Sequence, residues 1–323
     1  MLSDSGPDVV VLRRGTHGMQ AADYADALRE RLPDAEVAHA RTPAEERRLL
    51  GTAPVATGPR LDADLLADAD ALRMFAVVST GDEHLPLDAL AERGVAVVNA
   101  AGVHAPNVAD QAVAAMLAFV RDLPTAWRQG ERAEWRHFQA HELDGSTVTV
   151  VGQGTIGRTV VDRLSGWDVH TVGVRHTPEK GGPADEVVGY DAEAVHDALA
   201  RTDYLVVAAP LTDTTRGIIS SVEFDTLPQD AVLVNVGRGP VVDTDALVAA
   251  LRGNALRGAA LDVTDPEPLP ADHPLWDLQN CLVTPHNAGH APALFERMAD
   301  LVGRNVEKVA DTGVYEDLEN QVQ

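Results

Sequence analysis

The chain of 323 residues has one cysteine (Cys281), two lysines (Lys180 and Lys308) and only 4% aromatic residues. A single cysteine excludes an internal disulfide framework and any cysteine-built zinc or iron–sulfur site. No apolar run reaches the roughly 18 residues of a membrane-spanning helix. The start, Met1-Leu2-Ser3-Asp4, has no basic segment ahead of an apolar core, so no secretory leader is expected. Neither G-x-x-x-x-G-K-[ST] nor G-x-S-x-G occurs, which leaves nucleotide hydrolysis and serine-hydrolase chemistry without support. His137 and His141 have zinc-helix spacing, but Phe138 stands where H-E-x-x-H needs glutamate; a surface helix without metal is expected. At roughly 100–200 residues per domain, the length predicts two domains. The chain reads as a soluble cytoplasmic protein.

Charge of one sign is also scarce. Fifty acidic residues against 26 basic ones give a net charge of −24. Such a field repels nucleic acid and anionic lipid, whose binding needs clustered Lys and Arg. It also strains the compact state by self-repulsion, which concentrated electrolyte screens. The acids are spread through every segment and form no tail. A host with high internal salt is expected, the alternative being an acidic protein of an ordinary cytoplasm.

What is present is alternation. Short β-branched runs (Val9–Leu12, Val37–His39, Val55–Thr57, Phe75–Ser79, Val95–Asn99) interleave with helical patterns such as Ala21–Arg31 and Leu87–Arg93, the pattern of a parallel α/β sheet. A long helix is predicted from Asn107 to Arg121, bounded by Pro106 and Pro124. A second set follows: Val148–Val151, Val169–Val174, Leu205–Ala208, Val232–Val236, Ala259–Val263 and Leu282–Thr284. Six strands suit a complete dinucleotide-binding sheet. A final helix is predicted over Ala291–Asp311. The simplest arrangement is an α/β fold in which a Rossmann-type doubly wound parallel sheet (101–287) is inserted into a smaller α/β domain (1–100 and 288–323).

Strand Thr147–Val151 runs into Gly152-Gln153-Gly154-Thr155-Ile156-Gly157 and then a helix. In such a loop Gly152 permits the tight turn, Gly154 lets backbone approach a pyrophosphate, and Gly157 lets helix pack on strand. The pyrophosphate sits on unpaired amides at the helix N-terminus. The next strand ends Val174-Arg175-His176-Thr177, where an NAD site carries Asp or Glu for the ribose 2′-hydroxyl. The Arg175 guanidinium fits the 2′-phosphate of NADP, with plain solvent exposure as the alternative. NADP(H) is expected over NAD(H).

Later strand ends carry further polar groups. Asn235-Val236-Gly237-Arg238-Gly239 gives an arginine with backbone room on both sides, its fork suited to a carboxylate and a carbonyl. Asp265-Pro266-Glu267-Pro268 places a glutamate between prolines, read as a rigid extended loop. Thr284-Pro285-His286 puts a histidine directly after a strand. Ketone reduction needs a proton donor with a pKa near neutrality, which histidine supplies, and a carboxylate partner would orient it. Singly, each reads as readily as a surface charge; the conjunction points to Arg238, Glu267 and His286 as catalytic.

The sequence resembles the D-isomer-specific 2-hydroxyacid dehydrogenase family along nearly its whole length. The resemblance rests on His104-Ala105-Pro106-Asn107-Val108-Ala109-Asp110, Leu143-Asp144-Gly145 ahead of the glycine loop, Ala209-Pro210-Leu211-Thr212, Asn235–Gly239, Asp262-Val263 with Pro266-Glu267-Pro268-Leu269, and Thr284–Gly289. It implies a flavodoxin-like substrate domain, Arg238 on the substrate carboxylate and ketone, His286 as acid/base and Glu267 as its partner. It further implies Gly152, Gly154, Thr155, Ile156 and Gly157 at the pyrophosphate, and Arg175, His176 and Thr177 at the adenosine ribose. Pro210 would line the adenosine side, Val236, Gly237, Ala288 and Gly289 the cofactor, and Asp262 would face the nicotinamide amide. The backbone of the Ser79-Thr80-Gly81 loop would bind the substrate carboxylate. A homodimer, no metal, short 2-oxo acid substrates and D-stereochemistry are implied with them.

Three positions depart from the family pattern: Asp82 after Gly81, Asp110 in place of the usual Glu, and Asn287 beside the histidine. Glu267 disfavours a formate dehydrogenase, which typically carries Gln there. Little chain follows His286, which disfavours a phosphoglycerate enzyme with an added regulatory domain. The alternative from another class is a corepressor-like protein that senses dinucleotide without turnover, since such relatives keep the three polar residues. Cys281 reads as a small packing residue rather than a nucleophile.

Overall fold

The structure, a computed structural model, describes residues 6–16, 18–81 and 85–323. It forms two compact units, Met1–His104 with His290–Gln323, and Ala105–Gly289. The chain thus passes between units after His104 and Gly289, where the sequence reading placed the changes after 100 and 287.

The first unit runs β1 (Val9–Val11), α1 (Ala21–Arg31), β2 (Val37–His39), α2 (Pro43–Leu50), β3 (Val55–Gly58), α3 (Ala63–Leu66), β4 (Met74–Val77), α4 (Leu87–Glu92) and β5 (Ala96–Val98). Its five strands are parallel in the order β2-β1-β3-β4-β5, the flavodoxin order. The inner strands β1, β3, β4 and the edge strand β5 are almost wholly apolar because both faces are covered, whereas the other edge strand, β2, ends in the half-buried His39. Val9, Val11, Met74 and Ala76 face one cluster and Val10, Phe75 and Val77 the other. Thr42 and Glu45 form a reciprocal capping box that starts α2, satisfying amides the helix leaves unpaired.

The second unit runs α5 (Ala105–Val120), α6 (Leu123–Glu131), β6 (Thr147–Val151), α7 (Thr155–Leu164), β7 (His170–Val174), β8 (Glu186–Val188), α8 (Ala192–Leu199), β9 (Tyr204–Val207), α9 (Ser221–Thr226), β10 (Val232–Asn235), α10 (Thr244–Arg252), β11 (Gly258–Leu261) and β12 (Cys281–Val283). All pairings are parallel, in the order β12-β11-β10-β9-β6-β7-β8. Starting from β6, that is the 3-2-1-4-5-6 Rossmann order with a seventh strand at the far edge. The first unit is completed by α11 (Ala293–Thr312). It lies along α1, where Tyr24 stacks on Phe295 at 5.1 Å and Arg31 bonds Asp300 and Glu307.

Several expectations need correction. The second sheet has seven strands, not six: Glu186-Val187-Val188 forms the edge strand β8. It is short and half-exposed, and it follows a Gly-Gly-Pro break, so it shows little alternation. Asp185 secures it, its carboxylate accepting from both the amide and the hydroxyl of Thr171 at 2.8 and 2.7 Å. Those bonds hold the Asp185 carboxyl below the ordinary aspartate range. Pro106 lies inside the first turn of α5 rather than before it, a position where a proline removes no needed donor. Residues 134–142 are not helical, so His137 and His141 do not share a helix face. Among the described residues no cluster of His, Cys, Asp and Glu could hold a metal, and no helix is long and apolar enough to cross a membrane. Cys281 packs beside the second unit's core, and burial pushes its thiol up to about 12.

α5 sits on the sheet closely because Ala105, Ala109 and Ala112 line its buried side and β11 begins with glycine. A Cβ at Gly258 would fall 2.3 Å from the Phe119 ring and 2.8 Å from the Asn280 carbonyl. Gly258→Ala should therefore destabilise the protein by about 1–3 kcal/mol, read as a lower denaturant midpoint at unchanged slope.

Candidate active site

Register places the site. Val151 of β6 pairs with Val174 of β7 and Val207 of β9, Asn235 of β10 pairs with Val207 and with Leu261 of β11, and Leu261 pairs with Val283 of β12. Val188, the last residue of β8, pairs with Val174 in turn, so all seven strands end on one row. The loops that leave that row carry the glycine loop, Arg175, Pro210, Val236–Arg238, Asp262 and His286. Carboxyl ends of an open α/β sheet are where ligands bind.

At the centre of the row the backbone is stripped of side chains. Gly152 has φ +98°, and a Cβ on it would lie 2.6 Å from the Ala209 backbone. Gly237 approaches the same residue, its virtual Cβ 2.8 Å from the Ala209 carbonyl. Gly157 seats α7 on the turn: a Cβ there would come within 1.9 Å of the Gly152 carbonyl. Gly154, by contrast, is open, with no atom within 4 Å of its virtual Cβ and no side chain capping α7. Exposed first-turn amides at a helix N-terminus, with a bare glycine over them, fit the pyrophosphate of a dinucleotide. Thr155 and Ile156 are the first residues of that turn.

Around this cradle, Arg175 is half-buried at the end of β7 and its Nη1 donates to the Gly181 carbonyl. The exposed His176 ring faces Tyr190 at 6.4 Å, and Thr177 precedes a short 3-10 turn. Pro210 is exposed and its carbonyl accepts from the Thr215 hydroxyl. Val236 is buried, and the Gly237 amide is turned to the Asn235 side chain.

The three polar residues lie on adjacent loops. His286 Nδ1 is 2.6 Å from Glu267 Oε1, with both side chains nearly half exposed. His286 has φ +50°, and its amide bonds the Asp262 and Thr284 carbonyls. Residues 265–268 form a run of bends with cis bonds into Pro266 and Pro268, not the extended loop expected from the prolines. Arg238 is half-buried, its Nη1 on the Gly237 carbonyl, and makes no ion pair with any described residue. Gly239 brings that loop onto the next: a Cβ on it would lie 1.9 Å from the Thr264 carbonyl.

Asp262, which the resemblance places at the nicotinamide amide, has a further task the sequence did not signal: both its carboxylate oxygens accept from the histidine's own loop. Oδ1 accepts from the Thr284 hydroxyl at 2.5 Å and the Asn287 amide at 2.9 Å, and Oδ2 from the Ala288 amide at 2.9 Å. Gln111 on α5 extends the chain toward Thr284 Oγ1 at 3.4 Å. Asn287, one of the departures from the family pattern, uses its backbone here, so its side-chain identity leaves this contact intact. Gly289 is tied to α5, its carbonyl accepting from Asn107 Nδ2 at 3.1 Å. The departure at Asp110 pairs outward, to Arg163 at 2.8 Å.

In the first unit, the loop after β4 is held by its carbonyls: Ser79 Oγ donates to the Gly81 carbonyl and Asn99 Nδ2 to the Thr80 carbonyl. The Thr80 and Gly81 amides have no acceptor among the described residues. Asp82 lies outside the described residues.

Comparison with known proteins bears on this arrangement. The sequence profile for the NAD binding domain of D-isomer specific 2-hydroxyacid dehydrogenases matches residues 113–288. The mouse (Mus musculus) glyoxylate reductase/hydroxypyruvate reductase is 36% identical over 235 residues, 70% of this chain and 71% of the mouse protein. Among solved structures, a D-isomer specific 2-hydroxyacid dehydrogenase from Xanthobacter autotrophicus in complex with NADPH superposes with a TM-score of 0.78 at 27% identity, covering 98% of both chains. The NADPH-dependent glyoxylate/hydroxypyruvate reductase of Sinorhizobium meliloti gives 0.76 at 25% identity, over 97% of both. The chain belongs to the D-isomer-specific 2-hydroxyacid dehydrogenase family. It is an oxidoreductase that reduces 2-oxo acids with a nicotinamide dinucleotide.

Removing the Asp262 carboxylate takes away the acceptor of three hydrogen bonds, each a loss of about 1 kcal/mol or more. Asp262→Ala should speed amide hydrogen exchange at Asn287 and Ala288 by about tenfold or more, with exchange in β6 and β9 unchanged.

Proposed function

We propose that the protein reduces short 2-oxo acids to D-2-hydroxy acids, reversibly, with NADP(H) preferred over NAD(H), and that it acts as a homodimer. The observation that carries this reading is the 2.6 Å contact of His286 Nδ1 with Glu267 Oε1, on the same sheet edge as the open glycine loop. With Glu267 accepting from Nδ1–H, the proton on Nε2 of the imidazolium is the one free to move. A bound reduced nicotinamide supplies hydride to the substrate's carbonyl carbon. His286 gives its Nε2 proton to the carbonyl oxygen as charge develops there, and Glu267 stabilises the imidazolium before transfer. In the oxidative direction the same nitrogen takes the proton back.

Arg238 holds the substrate carboxylate and polarises the ketone. It suits that task because no carboxylate among the described residues pairs with its fork. The Thr80 and Gly81 amides are a further carboxylate-binding element. Thr155, Ile156 and the bare Gly152 and Gly154 hold the pyrophosphate. Arg175, with His176 and Thr177, takes the 2′-phosphate, and Pro210, Val236, Gly237, Ala288 and Gly289 line the rest of the cofactor.

The test is oxidation of NADPH and NADH against glyoxylate, hydroxypyruvate, pyruvate and branched 2-oxo acids, in low and molar salt. NADPH preference is expected, with activity maintained in molar salt. His286→Ala should lower kcat by about 10²–10⁴ while NADPH still binds; unaltered kcat rejects the acid/base role. Cofactor binding by the wild type without turnover on any acid favours the dinucleotide-sensing alternative.

Homodimerisation is supported by apolar surface. Leu123, Trp127, Trp135 and Phe138 are exposed within one stretch, Trp135 by 95%. A chain so acidic and so poor in aromatics gains little from tryptophans facing water, and exposed large apolar residues gathered in one stretch of chain suit an interface. Sedimentation should give twice the 34.3 kDa chain mass, and Trp135→Asp should shift the protein toward monomer.

A further inference from the structure

Gln153, between the first two glycines of the loop, turns its side chain toward Gly173 of β7. Its side chain is 5% exposed and lies over β7, on the face where Gly173 leaves a gap. A Cβ on Gly173 would sit 2.7 Å from Gln153 Cδ, so the glycine makes the room the amide fills. The Gln153 Nε2 donates to the Val150 carbonyl at 3.3 Å. Its Oε1 is buried and has no hydrogen-bond partner. Across the gap that oxygen faces Gly182, whose virtual Cβ is 3.1 Å away.

A buried amide oxygen left without a donor is unfavourable, so this one calls for a use. The use lies in what Gly182 is joined to. Gly181, with φ +58°, presents the carbonyl on which the Arg175 guanidinium rests. One side of the Gly181-Gly182 pair thus occupies the arginine, and the other abuts the unpartnered oxygen. Neither glycine has a side chain to resist rotation of the peptide units between them.

We propose that Gln153 is a positioning residue for Arg175. Its amide is the floor beneath Gly181-Gly182, and Oε1 is the acceptor that holds this segment once Arg175 leaves the Gly181 carbonyl for the cofactor's 2′-phosphate. The proposal rests on the reading of Arg175 as the 2′-phosphate ligand. It makes cofactor choice a property of a buried glutamine as well as of the exposed loop.

The test is the ratio of NADH to NADPH dissociation constants, by quenching of tryptophan fluorescence, in wild type, Gln153→Met, Gln153→Ala, Arg175→Ala and the double variant Gln153→Met/Arg175→Ala. Methionine fills the gap without an acceptor, and alanine leaves the gap open, so failure of one variant to fold leaves the other. Either Gln153 variant should lower the ratio about tenfold, and with Arg175→Ala already present Gln153→Met should change it no further, as for residues acting in one network. Equal weakening of both cofactors by the Gln153 variants, or an additive double variant, overturns the proposal. A ratio lowered by Arg175→Ala but unmoved by both Gln153 variants overturns it while leaving the 2′-phosphate reading in place. A ratio unmoved by Arg175→Ala removes that reading, and the proposal with it.

Discussion

Everything functional in the second unit depends on the register of a parallel ladder. Its seven strands end level with one another, so loops far apart in sequence leave the sheet side by side. A one-residue slip in any pairing would turn side chains to the opposite face, but it would also raise or lower the loop that follows by more than 3 Å. The apolar faces fix the register: Val148, Val150, Val206 and Val234 meet α5 and α7, while Val151, Val207 and Leu233 meet the α8–α10 side. The hydrophobic cores therefore act as the ruler that sets the site's geometry.

On that row, backbone approaches backbone wherever a ligand must lie close. Gly152 and Gly237 both press on Ala209, and Gly239 presses on Thr264. These contacts leave no room for side chains, so the polar groups stand at the flanks: Arg175 on one side, Arg238, Glu267 and His286 on the other. Asp262 joins the two kinds of construction. It follows β11 directly, so its position is set by the sheet, and its carboxylate holds the loop that carries His286. The left-handed backbone of His286 is uncommon for a residue with a Cβ, and three bonds from one buried carboxylate keep the neighbouring residues in place around it.

The sequence disclosed the parts of this design that are periodic or rest on rare residue types. Apolar runs marked eleven of twelve strands, and glycines with an arginine, a glutamate and a histidine after strand ends marked the loops. β8 escaped because two valines beside a glutamate, after Gly-Gly-Pro, carry no periodicity; a hydrogen-bonded Asp185 secures it instead. The spacing of His137 and His141 suggested a helix, but the stretch from 134 to 142 bonds mainly through isolated contacts such as His141 N to the Val120 carbonyl at 2.8 Å. The inward turn of Asp262 and the unpartnered oxygen of Gln153 had no signal at all. Both are consequences of which donors the folded backbone brings within reach, and no local pattern encodes that.

The charge balance gives the arginines their meaning. In a chain of net charge −24, Arg31, Arg47, Arg163, Arg201 and Arg304 each have a carboxylate within 3.1 Å. Arg175 and Arg238 rest on backbone carbonyls of their own loops instead. A carbonyl is a weaker partner than a carboxylate for a guanidinium, so an arriving phosphate or carboxylate can displace it without breaking an ion pair. The acidic field opposes the approach of an anionic substrate at low ionic strength and is screened over a few ångströms in molar salt, whereas a direct guanidinium contact persists. The excess of acids and the two strand-end arginines that rest on carbonyls thus amount to one electrostatic arrangement, in which the chain's general repulsion of anions is relieved where a guanidinium has no carboxylate partner among the described residues.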